Sequence, residues 1–392
     1  MTRKIIRKAL FAFWLLVGMV LVGKTQTTDR VVLFMIDGLH WETPQKLNMP
    51  FFNSLIREGA YVQKSYMIIP HHPTIGDYSK FNSCSFPNPM LHAGSVFMKP
   101  DNRMIQEVIS PRHQTAFVVN VADYRTVSRG FTTSIMDPTL SDDQVVEQSI
   151  AILKNQNPVF TRIHLQSPGV EGRVGVYGSA PDKPYCRNIY GNGSPYAKAV
   201  EHADGLLGEL IGFLKKSGKW ERTVLIVTSD HGQSRIGWHP LFDEDSWITP
   251  FVISGPRVAK GRELSYLEHT DIAPTIAWIL GINPPNSDGG CGKPVKELMQ
   301  QYDAANYHPA MYIKTINQQI KEFNILKSRM ILEAENKRYL SNIIASLENE
   351  ILTPEPFYHH DRIMDWHKAG TVEHLIEAND KILKQMRADL SK

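Results

Sequence analysis

The chain has 392 residues, of which 42% are hydrophobic and 21% charged, and its formal net charge is +3. That composition suits a globular protein with room for one large α/β domain and an appendage. The charge excess forms no basic stripe, which excludes a nucleic-acid scaffold function. Cys84, Cys186 and Cys291 are scattered without CxxC spacing and odd in number, so they read as buried or free thiols rather than a metal site.

The N-terminus carries Arg3, Lys4, Arg7 and Lys8, then an apolar run over Ala9 to Gly23, then a polar stretch from Lys24. This pattern predicts a signal peptide over residues 1–25 and export to the periplasm or the cell exterior. The cleavage point falls between Gly23 and Gln26. The alternative is an uncleaved segment that ties the chain to a membrane, although the run is shorter than the ~20 apolar residues of a spanning helix.

The elements follow in chain order. Arg30 to Ile36, RVVLFMI, is a short β-branched run that reads as a strand buried on both faces and ending at Asp37-Gly38. Met49 to Gly59 has helical spacing, with Phe52, Leu55 and Ile56 on one face. Thr115 to Asn120 and Val159 to Leu165 read as further strands. Asp142 to Lys154 reads as a helix with Ser141 at its N-cap. Tyr196 to Lys216 is a long amphipathic helix with Leu206, Leu207, Leu210 and Leu214 on its apolar side. Thr223 to Val227 is a strand that runs into Thr228-Ser229-Asp230-His231-Gly232, and Pro250 to Ser254 and Asp271 to Leu280 supply one more strand and helix. The alternation predicts an α/β fold, a mainly parallel sheet with helices on both faces, over residues 26–298. From about Met299 the chain turns rich in Lys, Glu, Gln, Leu and Ile. Helical spacing over Gln300 to Ser346 and Thr371 to Leu390 predicts a helical C-terminal extension, 299–392, that packs back on the domain or mediates self-association.

In such sheets ligands sit at the carboxyl ends of strands, where Asp37, Asp230 and His231 all fall, with His239 eight residues after His231. Taken singly, an aspartate after a strand is more often a turn residue and a lone histidine more often structural. Their joint placement after two buried strands suits a divalent metal of the zinc type.

Several segments resemble the alkaline-phosphatase superfamily, which includes type I phosphodiesterases/nucleotide pyrophosphatases, sulfatases and phosphoethanolamine transferases. VVLFMIDGLH is similar to the opening metal strand, TVLIVTSDHGQSRIGWH to the second metal segment, and WITPFVISGPRVAKG with HTDIAPTIAWILGINPP to the late strand and its helix. The resemblance spans roughly residues 30–298. It implies that Asp37, Asp230 and His231 hold one divalent metal, zinc by the family's chemistry, and that His239, or failing it His269, serves a second.

Two departures bear on catalysis. The family nucleophile stands two residues before a proline, and in Ile68-Ile69-Pro70-His71-His72-Pro73-Thr74 that position is Ile68, which has no nucleophilic atom. Thr74 is the nearest downstream hydroxyl, six residues late, and Ser65 lies three residues early. In LQSPGVEGRVG, where the family has P-D-x-x-G-H, Gly169 stands for the aspartate and Arg173 for the histidine of the second metal. Arg173 could supply positive charge to a phosphate or sulfate group in place of that metal, with His71 and His72 as further substrate-binding residues. The expectation is an exported metal-dependent hydrolase or transferase acting on a small-molecule phosphate, phosphodiester-type, or related ester, with impaired or non-standard catalysis. The alternative is a pseudoenzyme of the same fold that binds a phosphorylated or sulfated ligand or a protein partner.

Overall fold

The computed structural model describes residues 28–67, 103–122, 124, 128–240, 242–285, 292–337, 339–340, 342–343 and 372–392. The predicted signal segment over residues 1–25, and with it Cys84 and Cys291, lies outside them. Cys186 is a half-buried free thiol. Among the described residues no helix is long and apolar enough to cross a membrane.

Among the described residues nine strands form one sheet: β1 Arg30–Ile36, β2 Ala60–Tyr66, β3 Thr115–Val119, β4 Thr133–Met136, β5 Phe160–Leu165, β6 Thr223–Thr228, β7 Ile248–Ser254, β8 Arg262–Leu264 and β9 Leu267–Glu268. Their order is β4-β3-β5-β1-β6-β7-β2-β8, with β9 also paired to β2. The block β4-β3-β5-β1-β6 is parallel throughout, and β7 runs antiparallel to both β6 and β2.

Strand β1 explains why its sequence shows no polar alternation. Val32, Phe34 and Ile36 point into one core, and Val31, Leu33 and Met35 point into the other. A strand in the middle of a sheet covered on both faces must be apolar on both. The first core is closed by α1 (Pro50–Glu58), α3 (Asp142–Asn155) and α4 (Pro195–Lys216), and the second by α2 (Ile105–Ile109) and α5 (Ile272–Leu280). Helix α3 starts where Ser141 and Gln144 form a reciprocal capping box, the Ser141 hydroxyl accepting from the Gln144 N–H at 3.2 Å and the Gln144 carbonyl oxygen accepting from the Ser141 N–H at 2.9 Å. Helix α4 begins with Ser194 as cap and Pro195 at its first position. It buries Val200, Leu206, Leu207, Leu210 and Leu214 against the sheet, each such side chain contributing about 1.5–3 kcal/mol.

The predicted helices and strands of the domain are present to within a residue or two. Strands β2, β4, β8 and β9 were not legible. In β2, Gln63 and Lys64 interrupt the apolar pattern, and β8 and β9 have only three and two residues. One expectation is corrected: the chain is not helical from Gln300. It stays irregular, with a single turn at Ala304–Asn306, until α6 begins at Tyr312 and runs to Glu333. Pro309 lies in that irregular stretch and cannot donate to a continuing helix. Helix α6 then packs along α7 (Val372–Leu390) through Phe323, Leu326, Met330, Leu383 and Met386. The extension packs back on the domain: Asn317 donates to the Met67 carbonyl at 2.8 Å, and the Ile313 N–H donates to Glu268 at 2.7 Å.

Candidate metal centre

Three adjacent parallel strands, β5, β1 and β6, deliver the site at their carboxyl ends. Their register sets Met35 beside His164 on one side and Thr228 on the other. Asp37 therefore follows β1, His164 is the second-last residue of β5, and Asp230 lies two residues past β6. One ligand atom from each of Asp37, His164 and Asp230 lies within 4.8 Å of the others, and all three residues are buried. His231 borders the group, its Nε2 3.4 Å from Asp230 Oδ2 and 3.8 Å from Asp37 Oδ1. Its Nδ1 donates to the Gly232 carbonyl at 2.8 Å, which leaves the Nε2 lone pair toward the carboxylates in the neutral ring.

Gly38 makes this closure of β1 on β6 feasible. It adopts φ +60°, a conformation costly for residues with a Cβ. Its N–H donates to Asp230 Oδ1 at 3.3 Å, and the Leu39 N–H donates to Ser229 Oγ at 2.9 Å. On the other side, the Gln166 amide donates to Asp37 Oδ2 at 2.8 Å and to the Tyr124 hydroxyl at 3.0 Å, and lies 3.2 Å from His164 Nε2. Asp142, the first residue of α3, holds the turn after β5 by accepting from the backbone N–H groups of Gln166 and Ser167 at 3.1 and 3.2 Å.

The electrostatics fit a cation. Burial, and then the charge of Asp230, push the Asp37 carboxyl above its ordinary value, with His164 acting in the opposite sense. Burial alone would push Asp230 up as well, but His231, His164 and the N–H groups of Gly38 and His231 outweigh it and hold that carboxyl below its ordinary value. Asp230 Oδ2 is buried with no hydrogen-bond donor among the described residues. Two buried carboxyls side by side, one with an orphaned oxygen, are costly unless a positive charge lies between them. Two carboxylates with one or two imidazoles form a donor set suited to a zinc-like divalent ion.

Of the residues singled out from sequence, Asp37, Asp230 and His231 converge. His239 is half-buried, its ring centroid 4.4 Å from that of His231 and 4.0 Å from that of Trp238. Arg173 lies on the π-helical turn Glu171–Tyr177, exposed, with its guanidinium 5.7 Å from the Trp238 ring. The side chains thus form a chain of contacts from the surface to the carboxylates: Arg173 over Trp238, Trp238 stacked on His239, and His239 tilted by 56° against His231. His269 is buried in the turn that follows β9, its Nε2 hydrogen-bonded to Thr249 of β7 at 2.9 Å. Ser65 is buried within β2. Ile68, His71, His72 and Thr74 lie outside the described residues.

Two functional candidates escaped the sequence reading, His164 and Gln166. The available signal was polar residues Thr161, Arg162 and His164 in a strand whose every position is buried. Gly169 also acquires a structural reason. A Cβ there would come within 1.8 Å of Asp37 Oδ1, so no side chain fits at this position while Asp37 keeps its place.

Residues 92–282 match the family model described as Sulfatase. Among curated proteins, Arylsulfatase K of Xenopus laevis is 36% identical over 100 residues, which cover 24% of this chain and 18% of that protein. The match thus spans about a fifth of that relative's length. Among solved structures, a putative sulfatase from Bacteroides thetaiotaomicron VPI-5482 superposes with a TM-score of 0.57 at 12% identity, covering 72% of this chain and 76% of the other. Murine ectonucleotide pyrophosphatase / phosphodiesterase 5 superposes with a TM-score of 0.52 at 14% identity, covering 65% of this chain and 96% of the other. At these identities the structural likeness establishes the fold, that of the alkaline-phosphatase superfamily, and residues 92–282 carry the match to the Sulfatase model.

Proposed function

We propose that the chain is a metal-dependent hydrolase or transferase of sulfate or phosphate esters, exported by its N-terminal segment. The observation that carries this reading is the buried convergence of Asp37, His164 and Asp230 at the ends of three adjacent strands. In this reading Asp37 and Asp230 hold a divalent ion, zinc by its donor set, together with His164 or His231. Such an ion supplies Lewis-acid polarisation and favours an attacking oxygen at neutral pH. Gln166 orients Asp37, because an amide donating to one carboxylate oxygen fixes which oxygen faces the centre. Arg173, carried on Trp238, offers a planar donor fork to the oxygens of a sulfate or phosphate group arriving from solvent. His71 and His72 are proposed to meet the same group, and Thr74 is the candidate hydroxyl nucleophile in a segment whose usual nucleophile position is Ile68. The names of the relatives, a sulfatase and a phosphodiesterase, support both ester classes as substrates.

A second reading is a pseudoenzyme that binds a sulfated or phosphorylated ligand without turnover. Ile68 and the closed packing of Gly169 on Asp37 favour it. The test is metal analysis of the purified protein paired with a panel of sulfate esters, phosphomonoesters and phosphodiesters. Bound metal with turnover that disappears on chelation supports the hydrolase. Bound metal with saturable ester binding and no turnover supports the pseudoenzyme, and a protein that takes up no divalent ion sinks the metal-centre reading in either form.

A further inference from the structure

The opposite end of the sheet holds a second feature that the metal centre does not use. Arg30 opens β1, about 20 Å along the strand from Asp37. It is only 5% exposed, and its Nε and Nη1 are buried with no hydrogen-bond partner among the described residues. It lines a cavity of about 800 Å³ between the start of β1, the end of α2 and the end of α5. Arg103 and Arg112 stand exposed at its rim. The apolar part of the wall includes Ile109, Val159, Leu280 and Ile282.

The described acceptors around Arg30 are engaged elsewhere. Asp29, the acid in the wall, is bridged by Arg222, whose Nη2 donates to Oδ1 at 2.7 Å and whose Nε faces Oδ2. The Asn157 side-chain oxygen accepts from Lys219 at 2.7 Å. At the end of α5, the Ala277 and Trp278 carbonyls accept from the N–H groups of Ile282 and Gly281, and the Ile279 carbonyl accepts from Arg257 at 3.4 Å. Burial pushes the Arg30 guanidinium below its ordinary range despite the Asp29 charge beside it. A buried guanidinium with two unused donor positions, in a ligand-sized cavity with further arginines at the mouth, is a costly arrangement for an empty space.

We infer that this cavity is an anion-binding site, separate from the metal centre, in which Arg30 is the inner donor to the oxyanion group of a small molecule and Arg112 stands at the entrance. A planar guanidinium fork matches the oxygens of phosphate, sulfate or carboxylate. The apolar wall would take the uncharged body of such a ligand.

The test uses inorganic phosphate as probe, titrated against the full chain at fixed ionic strength with chloride as control, and read by thermal shift and calorimetry. Wild type should be stabilised saturably by phosphate and not by chloride. Arg30→Met should weaken binding by about tenfold or more, and Arg112→Glu severalfold, because a charge-assisted bond is lost in each. Asp230→Asn, which disables the metal centre, should leave the phosphate response in place. Absence of a phosphate effect in wild type, or an Arg30→Met protein that titrates like wild type, overturns the assignment. So does a response abolished by Asp230→Asn and untouched at Arg30, which would put the anion at the metal centre instead. If Arg30→Met does not fold, Arg30→Lys and Arg112→Glu carry the test, and wild-type affinity in both overturns it.

Discussion

Asp230→Asn separates a metal centre from a chance meeting of buried acids. The asparagine keeps the Oδ1 that accepts from the Gly38 N–H at 3.3 Å, so the local backbone should hold. It replaces the orphaned Oδ2 by an amide that can donate toward His231 Nε2, now 3.4 Å away. What it removes is one of two negative charges at the centre. With free metal at about a hundredfold over its Kd, binding stabilises the native state by about 2.7 kcal/mol. For a protein of this size, at about 2.1 cal/mol/K of unfolding entropy per residue, that is a shift in Tm of roughly 3 °C. Wild type should therefore lose about that much on chelation, whereas Asp230→Asn should bind little metal and show almost no chelator effect. Without metal the order should reverse or level, since the variant no longer sets two buried carboxyls against each other. Metal content is read by elemental analysis and Tm by calorimetry, each with and without chelator. An Asp230→Asn protein with wild-type metal stoichiometry and a wild-type chelator shift would refute the assignment of ligands.

Three further outcomes are expected. Gly169→Ala places a carbon 1.8 Å from Asp37 Oδ1, so the carboxylate must move; metal content should fall, with a stability loss of about 1–3 kcal/mol, and unchanged values for both would contradict the packing argument. Burial pushes Glu268 up to about 8, with the Asp271 charge adding to it, while its neighbours Tyr266 and Ile313 donate to it. A carboxyl raised on folding contributes stability that is full below its unfolded pKa and lost as pH rises through the folded one, so Glu268→Gln should flatten the fall in Tm from about pH 5 to about pH 8 relative to wild type; parallel profiles would contradict this. Ile68→Thr should add a hydroxyl at the family's nucleophile position and raise ester turnover or trap a covalent intermediate there, and a variant as inert toward trapping as wild type would count against that register.

The parts of the fold that were legible are those whose signal is local. Strands β1 and β6 are apolar, largely uninterrupted runs followed within two residues by an aspartate, and α3 and α4 carry a cap and an apolar stripe in their own sequence. Strand β2 was not legible, because its polar Gln63 and Lys64 are accommodated only by where the sheet places them. The same division holds in the centre. Asp37 and Asp230 announce themselves by ending strands. His164 sits inside one, where an imidazole reads as an irregularity, and it becomes a candidate ligand only through the parallel register that sets it beside Met35. Gln166 and Asp142 are more remote still, since their roles are hydrogen bonds across 129 and 24 positions of sequence.

Gly169 shows how a sequence comparison and a structure can assign different meanings to one residue. Set beside the family pattern, it is a missing aspartate, a ligand lost from a second metal. In the fold it is the reason Asp37 can sit where it does, because the turn after β5 has closed onto that carboxylate until no side chain fits between them. An aspartate could not be restored at position 169 without displacing Asp37. The space beyond is organised differently: the next turn carries Arg173 outward onto Trp238, which stacks on His239, whose ring lies tilted against that of His231. In the proposed reading, positive charge is offered to an incoming anion by a guanidinium on an aromatic platform. A guanidinium can bind an anion but cannot activate a water molecule or a hydroxyl as a second ion would. Binding of sulfate or phosphate groups should accordingly tolerate this arrangement far better than turnover does. Affinity for product-like anions, compared with the rate on the corresponding esters, is thus the measurement that bears most directly on what the centre is for.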